Sequence, residues 1–257
     1  MGFTVKTLNL KKLKKKGKQK LFVVPYFFTF ANAIFGLLSV IQTFEGNFIG
    51  AAYFIVLAAI MDLIDGKLAR AFGSTSYLGT ELDSLCDAIS FCFAPAILLY
   101  SMYFKNLGLV GVFVLSLYLC CGLLRLAKFN ISSATQVKDI TYFVGLPTTV
   151  SAFLLAQIVI NSDWISIQFF WFLQNPFLFT LFIAAIALLM ISPVRFPSFK
   201  KINPRLLIGA IVVILIAISI GLMYGFPVIF FSLFAYVATF VFSFFVCKII
   251  GLLKGLS

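Results

Sequence analysis

Residues 47–95 read NFIGAAYFIVLAAIMDLIDGKLARAFGSTSYLGTELDSLCDAISFCFAP. Two apolar runs, each close to the length of a membrane span, meet at a short polar junction. The acids Asp62, Asp65, Glu81, Asp83 and Asp87 lie around that junction. The whole chain of 257 residues has only eight Asp and Glu, so this one junction holds most of them. A carboxylate at the centre of a membrane helix costs about 2.5–3.5 kcal/mol on insertion scales. Such groups must therefore face protein, water or a cation.

The composition agrees with a bilayer setting. Hydrophobic residues make up 62% of the chain, charged residues 11%, and the mean hydropathy of +1.11 excludes an ordinary water-soluble domain. A span takes about 20 apolar residues, and runs of that kind fall at Leu21–Phe44, 47–70, 83–104, 107–126, 143–160, 176–193, 205–222 and 226–248. The fold expected is an all-α polytopic membrane protein of about eight transmembrane helices, with a six-helix core over 21–200 and two further helices over 201–257. Residues 1–20 alternate lysines with Phe3, Val5, Leu8, Leu10 and Leu13, which suits an amphipathic interfacial helix rather than a cleavable signal.

Formal charge is +12, and eight of the twenty Lys and Arg precede Leu21. A basic segment beside a span is a membrane-surface and topology signal, so no nucleic-acid partner is expected. With the N-terminus inside, the inner loops collect every Lys and Arg except Lys105, which places both ends in the cytoplasm and the junction acids at the cytoplasmic side of a cell membrane. The connections Lys128 to Thr141 and Arg195 to Pro204, rich in Asn, Ser, Pro and Lys, read as loops. The five cysteines lie in apolar stretches without CxxC spacing, and the chain has no histidine. A zinc site is not indicated, and a base working near neutral pH must be a carboxylate, a lysine or a tyrosine.

On helices, Asp62 and Asp65 at i, i+3 and Asp83 and Asp87 at i, i+4 each put two carboxylates on one face. Two such faces opposed form an all-oxygen cage that suits hard divalent cations, Mg²⁺ or Mn²⁺. A metal pair is an established arrangement for displacement at phosphorus. Gly66, Ala69 and Gly79 leave room for a ligand beside the acids, and Arg70 is placed to meet phosphate charge. The same acids could instead serve a proton relay or a cation transporter, and the small residues could be helix packing alone.

As one string, Asp62-x2-Asp65-Gly66-x2-Ala69-Arg70-x8-Gly79-x3-Asp83-x3-Asp87 resembles the complete signature of the CDP-alcohol phosphotransferases. The resemblance implies a membrane enzyme that joins a CDP-activated group to an alcohol and releases CMP. It implies that Asp62, Asp65, Asp83 and Asp87 hold two metals and that Asp87 is the base. It also places Gly66, Ala69, Arg70 and Gly79, with Asp62 and Asp83, around the CDP moiety. Pro25, Thr29, Asn32 and Gly36 resemble the family's N-terminal pattern, which lies against the nucleotide; a small-residue packing face reads the same residues equally well.

Further stretches are similar to the serine-accepting branch of that family: Glu81 through Pro95, Arg125-Leu-Ala-Lys128-Phe129-Asn130, Phe143-x-Gly145-Leu146-Pro147, and Phe196 through Lys200. Lys128 stands where that likeness leads one to expect arginine, and Cys92 where it leads one to expect glycine. The branch implies attack of the L-serine hydroxyl on the lipid-bearing phosphorus of CDP-diacylglycerol or CDP-archaeol, in a homodimer. Arg125, Lys128 and Asn130 are candidates for the serine carboxylate, and Glu81 for its ammonium. Another acceptor, glycerol phosphate or inositol phosphate, would want the same cations. An isolated aspartate is a weak base at neutral pH, so Asp87 needs neighbouring carboxylates or a metal-bound acceptor beside it.

Overall fold

A computed structural model describes residues 26–72, 77–134, 142–162 and 175–197. Six helices and one short ladder lie in these residues. They are α1 (Tyr26–Phe44), α2 (Phe48–Phe72), α3 (Tyr77–Leu107), α4 (Leu109–Ala134), α5 (Thr148–Ile160) and α6 (Pro176–Ile191). Strands β1 (Tyr142–Val144) and β2 (Arg195–Pro197) pair antiparallel, with Phe143 opposite Phe196.

The first helix carries its polarity inside out. Thr29, Asn32, Gly36, Ser39 and Thr43 recur at steps of three and four and are buried, while Phe27, Phe30, Ile34, Leu37, Ile41 and Phe44 occupy the opposite face and are exposed. In water this arrangement would leave a wide apolar face wet. In lipid it puts bulk against the acyl chains and small polar residues against neighbouring helices. Helices α1 to α4 each contain a stretch long and apolar enough to cross a bilayer, whereas α5 and α6, at 13 and 16 residues, are apolar but shorter. These two fall on the fifth and sixth predicted spans. The predicted spans over 205–222 and 226–248, the amphipathic segment over 1–20, and Pro25 lie outside the described residues.

Three boundaries differ from the sequence reading. The third helix starts at Tyr77, not residue 83, so Gly79, Glu81 and Asp83 are all helical. The fourth continues to Ala134, so Lys128 to Ala134, expected as loop, forms two more turns of helix. That segment contains no Gly or Pro, and its polar residues carry helix penalties of only about 0.7 kcal/mol or less each. The fifth predicted span, set at 143–160, begins as strand: Tyr142–Val144 pairs with Arg195–Pro197 from the second expected loop, and the helix starts only at Thr148.

Helix α3 is not uniform. It is α-helical over Tyr77–Asp87, π-helical over Ala88–Phe93, and α-helical again over Ala94–Leu99, then π-helical over Tyr100–Phe104. Pro95 has no N–H to give the Phe91 carbonyl four residues earlier. The Tyr118 hydroxyl of α4 donates to that carbonyl at 3.0 Å instead. Tyr118 and Phe91 are fully buried, in a core that also contains Ile55, Leu98, Leu99, Leu154, Leu155, Ile158 and Ile183. On α2 the buried stripe is Ala51, Ala52, Ile55 and Ala58, and its small residues let α5 approach closely.

The turn into α5 hangs on the end of α6. Gly145 has φ +79° and donates its N–H to the Val194 carbonyl at 2.8 Å, and Leu146 donates to the Leu189 carbonyl at 3.0 Å. A Cβ on Gly145 would lie 3.0 Å from the Met190 carbonyl carbon and nearer still to its oxygen, so only glycine fits.

Candidate active site

The acids sit where two consecutive spans meet. Asp62 and Asp65 are on the last turns of α2, Asp83 and Asp87 on the first turns of α3, and only residues 73–76 separate the helices. One carboxylate oxygen each from Asp62, Asp83 and Asp87 lie within 4.8 Å of one another. Asp65 is buried outside that trio, yet its charge acts on both Asp83 and Asp87. Of the four acids expected to form the cage, the packing of the two helices brings three into mutual ligand range and leaves Asp65 outside it.

This donor set fits a divalent cation. Ligand oxygens about 2.0–2.6 Å from a hard ion lie at most about 5 Å from each other, and the trio meets that span. Asp83 Oδ1 is buried and accepts no hydrogen bond among the described residues. An anionic oxygen in that position calls for a positive ligand.

The first helix closes the cluster from the other side. Asn32 is fully buried and its Nδ2 donates to Asp87 Oδ1 at 3.0 Å. One turn on, Ser90 of α3 donates through Oγ to the Asn32 carbonyl at 2.9 Å, and Gly36 lies so close that a Cβ there would stand 2.9 Å from Ser90 Cα. The packing face and the candidate site face of α1 are thus the same face. Thr29 is buried on it, one turn before Asn32.

The remaining predicted residues divide. Gly66, Ala69 and Gly79 are half-buried around the acids' helices. Arg70 is placed on α2 by its backbone, and its side chain lies outside the described residues. Asn130 donates to Glu81 Oε2 at 3.3 Å, and the Ser84 hydroxyl is 2.8 Å from Asn130 Oδ1, so Glu81, Ser84 and Asn130 form one bridge between α3 and α4. Arg125 donates through Nη1 to Thr148 Oγ1 at 3.1 Å, and its charge acts on Asp87 and Asp62. Lys128, one turn further along α4, is exposed.

Sequence reasoning missed Ser84, Thr148 and Tyr118 as parts of this neighbourhood. A cue existed for Tyr118 alone: Pro95 inside a span leaves the Phe91 carbonyl in need of a donor.

A helical membrane protein whose consecutive spans converge acids in this way is a defined class. The sequence model of the CDP-alcohol phosphatidyltransferases matches residues 22–191, and the chain belongs to that family of transferases. It is 33% identical to the CDP-diacylglycerol–serine O-phosphatidyltransferase of Helicobacter pylori over 200 residues, 77% of this chain and 81% of the relative. It is 34% identical to the Bacillus subtilis protein of the same name over 178 residues, covering 69% of this chain and 92% of that one. An archaetidylserine synthase of Methanothermobacter thermautotrophicus is 31% identical over 176 residues, 68% of this chain and 69% of the relative.

Proposed function

We propose that this enzyme transfers the phosphatidyl group, or its dialkyl counterpart, from a CDP-activated lipid to the hydroxyl of L-serine and releases CMP. The observation that carries the reading is the convergence of Asp62, Asp83 and Asp87 from two helices into ligand range, within a chain whose relatives are named for serine transfer. Asp62, Asp65, Asp83 and Asp87 would hold two divalent cations, Mg²⁺ or Mn²⁺, which when bound neutralise pyrophosphate charge. Gly66, Ala69, Arg70 and Gly79, with Thr29 and Asn32 from α1, would surround the CDP moiety.

The chain's own groups then handle the acceptor. Asp87 takes the proton as the serine oxygen bonds to the lipid-bearing phosphorus. The bond from that phosphorus to the bridging oxygen breaks, and CMP leaves with the electron pair. Arg125, held beside the acids, takes the serine carboxylate. Glu81, steadied by Asn130, receives the ammonium, and Lys128 adds positive charge at the entrance. The positive-inside pattern supports a site at the cytoplasmic leaflet.

The test is CMP release from CDP-diacylglycerol and CDP-archaeol in mixed micelles, offered serine, glycerol phosphate or inositol phosphate separately, with and without divalent metal. Serine alone should support turnover, only with metal, and Asp87→Asn should lose at least about a hundredfold. Turnover with another acceptor and not serine would overturn the reading.

A further inference from the structure

We infer that Thr148 is a positioning residue for the acceptor substrate, its hydroxyl holding the Arg125 guanidinium so that the Nε edge is left open to grip a carboxylate. The inference rests on the serine reading above and adds to it the group that sets the geometry of the acceptor subsite.

Arg125 Nη1 is committed to Thr148 Oγ1, whereas Nε is buried and meets no acceptor among the described residues. A guanidinium is a rigid planar fork, so fixing Nη1 fixes the direction of the opposite edge, where the Nε and Nη2 N–H bonds run parallel. That edge is the one that binds carboxylates through two hydrogen bonds. A buried donor with no protein acceptor is costly unless a ligand supplies one. The same arginine lies in electrostatic reach of Asp87 and Asp62, so an acceptor carboxylate held there stands beside the proposed base.

Thr148 is itself held from several sides. It is 1% exposed and is the first residue of α5, directly after the turn whose Gly145 and Leu146 are bonded to the end of α6. Its carbonyl accepts from Ser151 Oγ at 2.7 Å, and Ser151 Oγ lies 3.3 Å from the Tyr118 hydroxyl. Tyr118 in turn donates to the Phe91 carbonyl, in the π-helical segment that follows Asp87. Buried polar groups therefore run in close succession from the helix bearing the proposed base to the arginine proposed for the acceptor, with Tyr118 and Ser151 in contact at 3.3 Å while each gives its one proton to a carbonyl. The Gly145-Leu146-Pro147 motif acquires a purpose: it delivers the Thr148 hydroxyl to Arg125.

The experiment compares wild type, Thr148→Val and Thr148→Ser in steady state, varying serine and CDP-diacylglycerol separately. Losing a hydrogen bond to a charged group should raise the serine KM of Thr148→Val about tenfold or more, with the KM for CDP-diacylglycerol within about twofold of wild type. Thr148→Ser, which keeps the hydroxyl, should restore the wild-type serine KM. If Thr148→Val does not fold, Thr148→Ala is read in the same way. An unchanged serine KM, equal changes in both KM values, or failure of the serine variant to rescue would overturn the inference. Failure of the serine reading itself is distinguishable, because wild type would then give no CMP with serine.

Discussion

Asn32 and Asp87, 55 positions apart in the chain, are joined by a 3.0 Å hydrogen bond from the Asn32 amide to Asp87 Oδ1, with both side chains buried. A donor to a carboxylate contributes about 1.5–3 kcal/mol, and here it also fixes the orientation of the proposed base. Asn32→Leu is expected to lower the rate of CMP release about tenfold or more. Asn32→Asp, which replaces the donor with a like charge, should cost more still at equal metal concentration. Initial rates in mixed micelles check both, and a wild-type rate in Asn32→Leu would separate α1 from catalysis.

The second prediction concerns the ligand-range trio. Chelation should abolish CMP release, and added Mn²⁺ or Mg²⁺ should restore it. Binding to the folded state alone raises the unfolding temperature by an amount that grows with the logarithm of the metal concentration once it exceeds Kd. Mn²⁺ should therefore raise the Tm of the purified protein, and Asp83→Asn, which loses the negative charge and one of the two carboxylate oxygens, should need at least about tenfold more metal for the same shift. A metal-independent Tm would count against the cage.

Gly36 tests how closely α1 must approach α3. Its missing side chain faces Ser90, whose Cα would lie 2.9 Å from an added Cβ. Backbone cannot swing aside as a side-chain tip can, so Gly36→Ala must push the helices apart and carry Asn32, one turn away, from Asp87. The expected result is a loss of about 1–3 kcal/mol in stability together with a reduced turnover. Thermal unfolding in detergent and CMP release from the same preparation would show whether the two fall together.

Cys92 and Gly122 give a fourth test. Cys92 occupies a position where the family resemblance leads one to expect glycine, and its Sγ would stand 2.6 Å from a Cβ added at Gly122. The thiol fills the space that Gly122 leaves on α4. Gly122→Ala should therefore destabilise by about 1–3 kcal/mol in the natural chain, and much less in a Cys92→Ala background, where the nearest remaining atom is the Cβ at 3.4 Å. A double-mutant cycle on thermal stability measures the coupling directly, and additive effects would show that the two residues do not share this space.

Much of the site was legible from spacing because acids at i, i+3 and i, i+4 necessarily share a helix face. Each pair occupies one face, but that Asp62 meets Asp83 and Asp87, with Asp65 acting on them from outside the trio, was settled by how the two helices pack. The serine-site candidates were less legible. Glu81 and Asn130 meet, and Arg125 turns toward the acids, but Lys128 is exposed. Arg125 and Lys128 stand three residues apart on one helix face, so spacing could not separate them, and only packing against a second helix, where Thr148 takes the Arg125 guanidinium, draws one of them in. The end of α4 was misread for a related reason: polar residues after Arg125 suggested a loop, although nothing there breaks a helix.

By itself the sequence determined that this chain lives in a bilayer and that each of two neighbouring spans carries its acids on one face, since hydropathy and helical periodicity are local properties of consecutive residues. Tertiary structure alone decided that Asn32 holds Asp87, that Tyr118 answers the carbonyl Pro95 leaves behind, and that Thr148 holds Arg125. Each of these joins residues on different helices. Partners of that kind are chosen by which buried polar groups must find one another when the helices pack in a medium that offers no water.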